Sequence, residues 1–279
     1  NGTTNFILSE MDSKGREFAD VLTEAQEKGY AEADPTFDVE GIDAAHKLVI
    51  MASLAFAIPL DSTSVFTDGI TKLDPQDVAN AREMGYAVKH LGIARQTDKG
   101  IELRVHPTLV PKSCLIAGVD DVQNAVMVNA DAVGTTLFYG PGAGAAPTAS
   151  SVVADIIDVA RVMNNDPQSW IPALGVPTNA VTAGDILDIQ EIETSFYMRF
   201  SALDQPGVLS TVTGIMADAG ISIEAISQKE QPATEEYVDV IILTNITHEK
   251  SLDAAVEQIE QLETVRGNVS FIRVEHLDQ

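Results

Sequence analysis

Asp43 and Lys47 stand four residues apart, the spacing at which a carboxylate and an ammonium meet on one helix face. They close a nineteen-residue stretch, GYAEADPTFDVEGIDAAHK (Gly29 to Lys47), that holds five acidic side chains and one lysine. Burial lowers a lysine pKa and neighbouring carboxylates raise it, so Lys47 could stay a cation or donate a proton to a polar substrate. The plainer reading is an exposed acidic loop and an ordinary surface ion pair. Against it stands the run that follows, LVIMASLAFAI, which is too apolar for a surface helix. Glu32, Asp34 and Asp38 lie close by in sequence.

These residues need elements to place them. Gly29 to Asp38 reads as a loop, because Asp34-Pro35 disfavours helix and Gly29 closes the helix before it. Ile42 to Phe56 reads as a largely buried helix entered at Gly41. A second stretch with chemical potential is YGPGAGAA, Tyr139 to Ala146. Gly140, Gly142 and Gly144 suggest a dinucleotide fingerprint, but no βαβ unit with an acid ending its second strand follows. By itself the run is equally well a glycine-rich turn.

The stretch at 29–47 resembles the catalytic segment of homoserine dehydrogenases, G-Y-x-E-x-D-P-x-x-D-x-x-G-x-D-x-x-x-K, at every fixed position. NGTTNFIL, Asn1 to Leu8, resembles the family's approach to that domain. The resemblance implies that Glu32 holds the substrate's amino group, that Asp43 and Lys47 sit at the reacting carbonyl, and that Asp38 supports them. It also implies that Gly140, Gly142 and Gly144 abut the nicotinamide half of NADP or NAD. The family carries a dinucleotide-binding domain, a metal loop and a second essential lysine ahead of this region. A chain opening at Asn1, with neither methionine nor a targeting segment, therefore reads as a fragment, and no metal site is assigned in it.

Bulk properties narrow the classes. The 279 residues suffice for two domains with separate cores. Seventeen basic against forty-two acidic residues give a net charge of −25, which argues against nucleic acid and anionic membranes as partners. The longest apolar run, Leu48 to Ile58, is broken by Ser53 and is too short to span a bilayer. Cys114 is the single cysteine, so no internal disulfide forms, and a cytoplasmic setting fits.

Taken in order, helices are expected over Asn1 to Met11 and from Phe18 to before Gly29. The segment Thr63 to Leu73 should begin a sheet. Pro75 to Gly85 reads as a helix capped by Asp74. Tyr86 to Ala94 and Ile101 to Val105 read as a hairpin about Asp98-Lys99-Gly100. Leu109-Val110, Leu115 to Ala117 and Ala125 to Val128 read as further strands, with Asp131 to Phe138 pairing back. Thr148 to Met163 reads as a helix with an apolar stripe that a missing domain would leave exposed. The expected class is α+β: a helix-and-sheet catalytic domain at 1–163 with a mostly antiparallel sheet, a proline-rich linker at 164–185, and a second domain at 186–279.

In that second domain the order strand, helix, strand, strand, helix, strand is the ferredoxin-like split unit. DQPGVL at its first turn, with GISI after the helix, resembles the ACT domain, a regulatory amino-acid-binding module. The resemblance places an amino-acid effector, with threonine the family's usual one, at Asp204, Gly207, Val208 and Ser222. Use of the fold for dimerisation alone is the plainer alternative.

Together the resemblances imply an NAD(P)-dependent enzyme that reduces aspartate 4-semialdehyde to homoserine in threonine, methionine and isoleucine biosynthesis. A homodimer or homotetramer is expected. The rival expectation is an amino-acid-sensing and dimerisation fragment with no catalysis of its own.

Overall fold

The computed structural model describes residues 1–163, 166, 170–229 and 236–277. It divides into two compact units, the first made of 1–106 and 112–186, the second of 107–111 and 187–279. The expected linker at 164–185 falls partly outside the described residues.

The first unit opens with helices α1 (Gly2–Lys14), α2 (Phe18–Glu27), α3 (Thr36–Val39) and α4 (Ile42–Phe56). Helix α1 is a core element: Phe6, Ile7, Leu8 and Met11 are buried along it. The short α3 lies inside the segment read as loop. Asp34 accepts from the Thr36 backbone N–H at 3.1 Å, and that turn starts the helix just past Pro35.

Strand β1 (Phe66–Thr67) and helix α5 (Pro75–Glu83) follow, the latter capped by Asp74 as expected. Long strands β2 (Tyr86–Gln96) and β3 (Ile101–Pro111) pair with each other. Along β3, Ile101, Leu103 and Val105 pack into one core with Ala45, Leu48, Val49 and Ala52 of α4. Its other face carries Glu102, Arg104 and His106, all buried. There Arg104 donates to Glu102 at 3.0 Å and bonds the His106 ring at 2.8 Å, so the charged strand face satisfies itself.

Several sequence expectations need correction. β1 runs parallel to β3, as does the Ile101–Ile186 bridge, so the sheet is mixed and not mostly antiparallel. Thr63 to Leu73 contributes only the two residues of β1. Leu109-Val110 is the end of β3, and Leu115 to Ala117 lies in a 3-10 turn, Leu115–Gly118, that follows Cys114. Three apolar residues set a strand only where a neighbouring strand is within hydrogen-bonding reach.

The antiparallel hairpin β4 (Gln123–Ala130) and β5 (Gly134–Pro141) forms a two-stranded sheet, followed by helix α6 (Ala145–Val162). No residue of α6 is buried, and Val152, Val153, Ile156, Ile157 and Ala160 are all exposed, as expected for that stripe.

The second unit holds β6 (Glu193–Leu203), α7 (Val208–Asp218), β7 (Ile223–Gln228), β8 (Tyr237–Thr244), the two-residue β9 (Thr247–His248), α8 (Glu249–Glu260) and β10 (Val265–Val274). Sheet order is β10-β6-β8-β7, antiparallel throughout, with residues 108–109 adding parallel pairing to β10. This is the expected split βαββαβ order. Alternate residues Phe196, Met198, Phe200 and Ala202 of β6 face Val212 and Met216 of α7 and Leu252, Ala255 and Ile259 of α8.

Candidate active site

Helix α4 begins on Gly41, whose φ of 84° places the backbone in the left-handed region. A side chain there would also meet the Val105 Cγ1 at 2.9 Å and the His90 ring at 3.1 Å, so glycine suits the position twice over. From this start the first turn presents Asp43, and Lys47 stands one turn on.

The Lys47 ammonium donates to Asp43 Oδ2 at 2.6 Å. Lys47 is 61% exposed and Asp43 only 21%. α4 is thus not the largely buried helix its composition suggests. Ala45, Leu48, Val49, Ala52 and Ser53 are buried, whereas Ile50, Met51 and Leu54 lie on the exposed face with Lys47. The reason is periodicity: an unbroken apolar run still has two faces, and only one reaches β3.

Asp43 has a second partner. The Asn1 side-chain amide donates to the same Oδ2 at 2.7 Å and to Asp38 Oδ1 at 2.6 Å. Thr3 Oγ1 shares its one hydrogen between the Tyr30 carbonyl at 2.7 Å and, more weakly, Asp38 Oδ2 at 3.2 Å. Burial pushes the Asp43 carboxyl up, but hydrogen bonds from Lys47 and Asn1 outweigh it and hold the acid below the usual carboxylate range. The result is a connected set, Lys47–Asp43–Asn1–Asp38–Thr3, with a cation at its open end.

The glycine loop lies beside this set. A Cβ on Gly142 would fall 2.6 Å from the Asn124 amide, and one on Gly2 would fall 3.7 Å from the same group. Asn124 therefore stands between the loop and the residue next to Asn1. Gly140 has open space where a side chain would be, and Gly144 caps α6 with φ 114° and no side-chain hydrogen bond. The first-turn amides of α6 are left without a side-chain cap, the arrangement that accepts a ligand oxygen.

The family model described as homoserine dehydrogenase matches residues 1–157, and that of the ACT domain matches 196–264. The homoserine dehydrogenase of Pseudomonas aeruginosa is 55% identical over all of this chain, which covers 64% of that protein. The Neisseria gonorrhoeae enzyme is 52% identical over 99% of the chain, covering 63% of its own length. A crystal structure of a homoserine dehydrogenase from Thiobacillus denitrificans superposes with a TM-score of 0.93 at 53% identity, over 99% of this chain and 62% of that one. The chain belongs to the homoserine dehydrogenase family. It spans just under two-thirds of the length of these relatives.

Within that family context, the structure joins Asp38, Asp43 and Lys47 in one hydrogen-bonded set but leaves Glu32 outside it. Glu32 is exposed on the loop after α2, where its backbone carbonyl accepts from Gln26 at 3.0 Å. Two members of the set, Asn1 and Thr3, carry no site role in the sequence, which places them only in the helix expected over Asn1 to Met11. Their signal is in NGTTNFIL, though nothing in it announces a partner 37 or 42 residues away.

In the ACT part, a cavity of about 180 Å³ is lined by Asp204, Gln205, Gly207, Val208, Gln228 and Val238. Gln228 Nε2 donates to Asp204 at 3.3 Å, and α7 starts on Gly207 without a side-chain cap. Ser222 is not in this group. It precedes β7 at the Thr244 end of β8, where Asn245 donates to its hydroxyl at 3.0 Å, whereas Leu203 beside Asp204 pairs with Tyr237 at the other end.

Proposed function

We propose that this chain is the substrate-handling and regulatory part of a homoserine dehydrogenase, converting aspartate 4-semialdehyde to homoserine with NADPH or NADH. The observation that carries it is the connected set ending in Lys47, with the open glycine loop one side chain away across Asn124. The nicotinamide, when bound, supplies the hydride that reduces the aldehyde carbon. Gly140, Gly142 and Gly144 would hold that cofactor: Gly140 faces open space, Gly144 opens α6 with its amides uncapped, and Gly142 lies between them, packed against Asn124.

The chain's own share is electrostatic. Lys47 points its ammonium at the carbonyl oxygen, stabilises the developing alkoxide and gives it a proton. Asp43 aims that ammonium, and its lowered pKa keeps it anionic beside the lysine. Asp38 adds a second carboxylate. Glu32, exposed, is offered for the substrate's ammonium. In the ACT part, Asp204 and the amides that open α7 suit the ammonium and carboxylate of an amino-acid effector, which we take as threonine. A homodimer or homotetramer is supported by the apolar side chains that β4 and β5 expose, among them Val128, Phe138 and Tyr139.

Lys47→Ala in the complete enzyme is the test. Loss of the proton donor should lower kcat by roughly a hundredfold or more, with the fold unchanged. A variant that retains kcat would return Lys47 to an ordinary surface ion pair.

A further inference from the structure

The first polar side chain of the sequence sits at the middle of the candidate site. One carboxamide there makes four hydrogen bonds. Its nitrogen donates to Asp38 Oδ1 at 2.6 Å and Asp43 Oδ2 at 2.7 Å, and its oxygen accepts from the backbone N–H groups of Thr3 at 2.9 Å and Thr4 at 3.2 Å. A carboxamide nitrogen has two hydrogens, so both are used, one on each carboxylate. Turning the amide over would set its oxygen against two carboxylate oxygens and its N–H groups against two N–H donors. All four contacts would become repulsive, so the orientation is fixed by its surroundings.

We infer that Asn1 is a positioning residue for the reaction: it bridges Asp38 and Asp43 and thereby sets where Asp43 holds Lys47. The inference rests on the reading of Lys47 as the proton donor. Two carboxylates need a donor between them to stay close and ionised. A lysine or arginine in that place would compete with Lys47 for Asp43, whereas a carboxamide holds both acids and adds no charge. Lys47 is then the one cation hydrogen-bonded to the set among the described residues. Helix α1 is what makes the bridge rigid. Its first amides hold the Asn1 oxygen, and its body is anchored by buried Phe6, Ile7 and Leu8.

Capping and bridging can be separated. Serine caps a helix about as well as asparagine, but one hydroxyl hydrogen cannot serve two carboxylates. Aspartate keeps the size and the capping oxygen while replacing the bridging donor with a third acid. In the complete enzyme, Asn1→Ser and Asn1→Asp should each lower kcat roughly ten- to a hundredfold, the cost of a misplaced catalytic group. The acid limb of the kcat pH profile should move to higher pH in both, because Asp43 loses a donor that lowers its pKa. The Tm of Asn1→Ser should stay at the parent value. Parent-like kcat and pH profile in both variants would overturn the inference. So would a rate loss with an unmoved acid limb and a lowered Tm, which is the behaviour of a helix cap alone. Lys47→Ala, assayed alongside, separates the two levels of the argument. If it loses activity while the Asn1 variants keep theirs, only the role of Asn1 falls. If it keeps activity, the site reading falls and the inference with it.

Discussion

Asp38 and Asp43 do not act as a patch of negative charge; each is held by a particular donor. That specificity starts from Gly41, which lets α4 begin where Asp43 can meet Asn1. Gly41→Ala should be costly on both counts at that position: a left-handed φ of 84° and a Cβ 2.9 Å from Val105. A loss of about 1–3 kcal/mol is expected, read as a lower midpoint in urea at unchanged slope. Activity should fall with it, since the displaced element carries Asp43 and Lys47. An unchanged midpoint would mean that α4 starts elsewhere. At this scale the sequence was informative where partners are near in the chain. The i, i+4 pair Asp43–Lys47 follows from helix geometry alone. The Asn1 bridge does not, because it depends on α1 packing beside the loop that ends at Asp38.

Among the elements, β2 shows how a core strand carries a titratable group. His90 on β2 bonds the Asp68 carbonyl through Nε2 at 3.0 Å, so Nε2 bears the hydrogen and Nδ1 is the bare nitrogen. Nδ1 is sealed from solvent and has no hydrogen-bond partner among the described residues. Burial, the largest cause, pulls the His90 pKa down to about 4, against the upward pull of the Asp68 carbonyl. The unfolded chain, with an ordinary pKa near 6.5, binds this proton more readily. Stability contributed by neutral His90 is therefore complete above about pH 6.5 and is lost as the pH falls toward about 4. Its full size is about 3 kcal/mol. His90→Gln keeps a donor for the Asp68 carbonyl and should flatten that part of the stability–pH curve measured by denaturant unfolding. A parent-like slope in the variant would place the acid sensitivity in other groups. The sequence marks β2 clearly as a strand, yet the shielding of the His90 ring depends on Gly41 and Asp68, which reach it from distant parts of the chain. Similarly, Leu48 to Ala57 is apolar but for Ser53, and only the folded chain shows that Ile50, Met51 and Leu54 remain outside.

For the molecule as a whole, two units carry two candidate sites, and each is legible to a different degree. The ACT order of strands and helices follows from alternating residues and turn signals, because its core is built within the contiguous stretch from Phe196 to Phe271. The first unit is harder to read, since β1 and residues 101 and 186 pair in parallel across long separations. Ser222 illustrates the limit even in the simpler unit: a match to the ACT pattern names it, but the fold sets it at the far end of β8 from Asp204. The two positions therefore answer a binding experiment differently. Threonine at about a hundred times its Kd should stabilise the second unit by about 2.7 kcal/mol, a rise of several degrees in its Tm. Asp204→Ala removes the carboxylate that faces the cavity and should abolish the rise. Ser222→Ala leaves the cavity lining intact and should preserve it. Calorimetry that finds no threonine binding, and none of methionine, isoleucine or lysine, would leave the ACT part as a dimerisation module. A rise lost in Ser222→Ala and kept in Asp204→Ala would move the effector to the opposite end of the sheet.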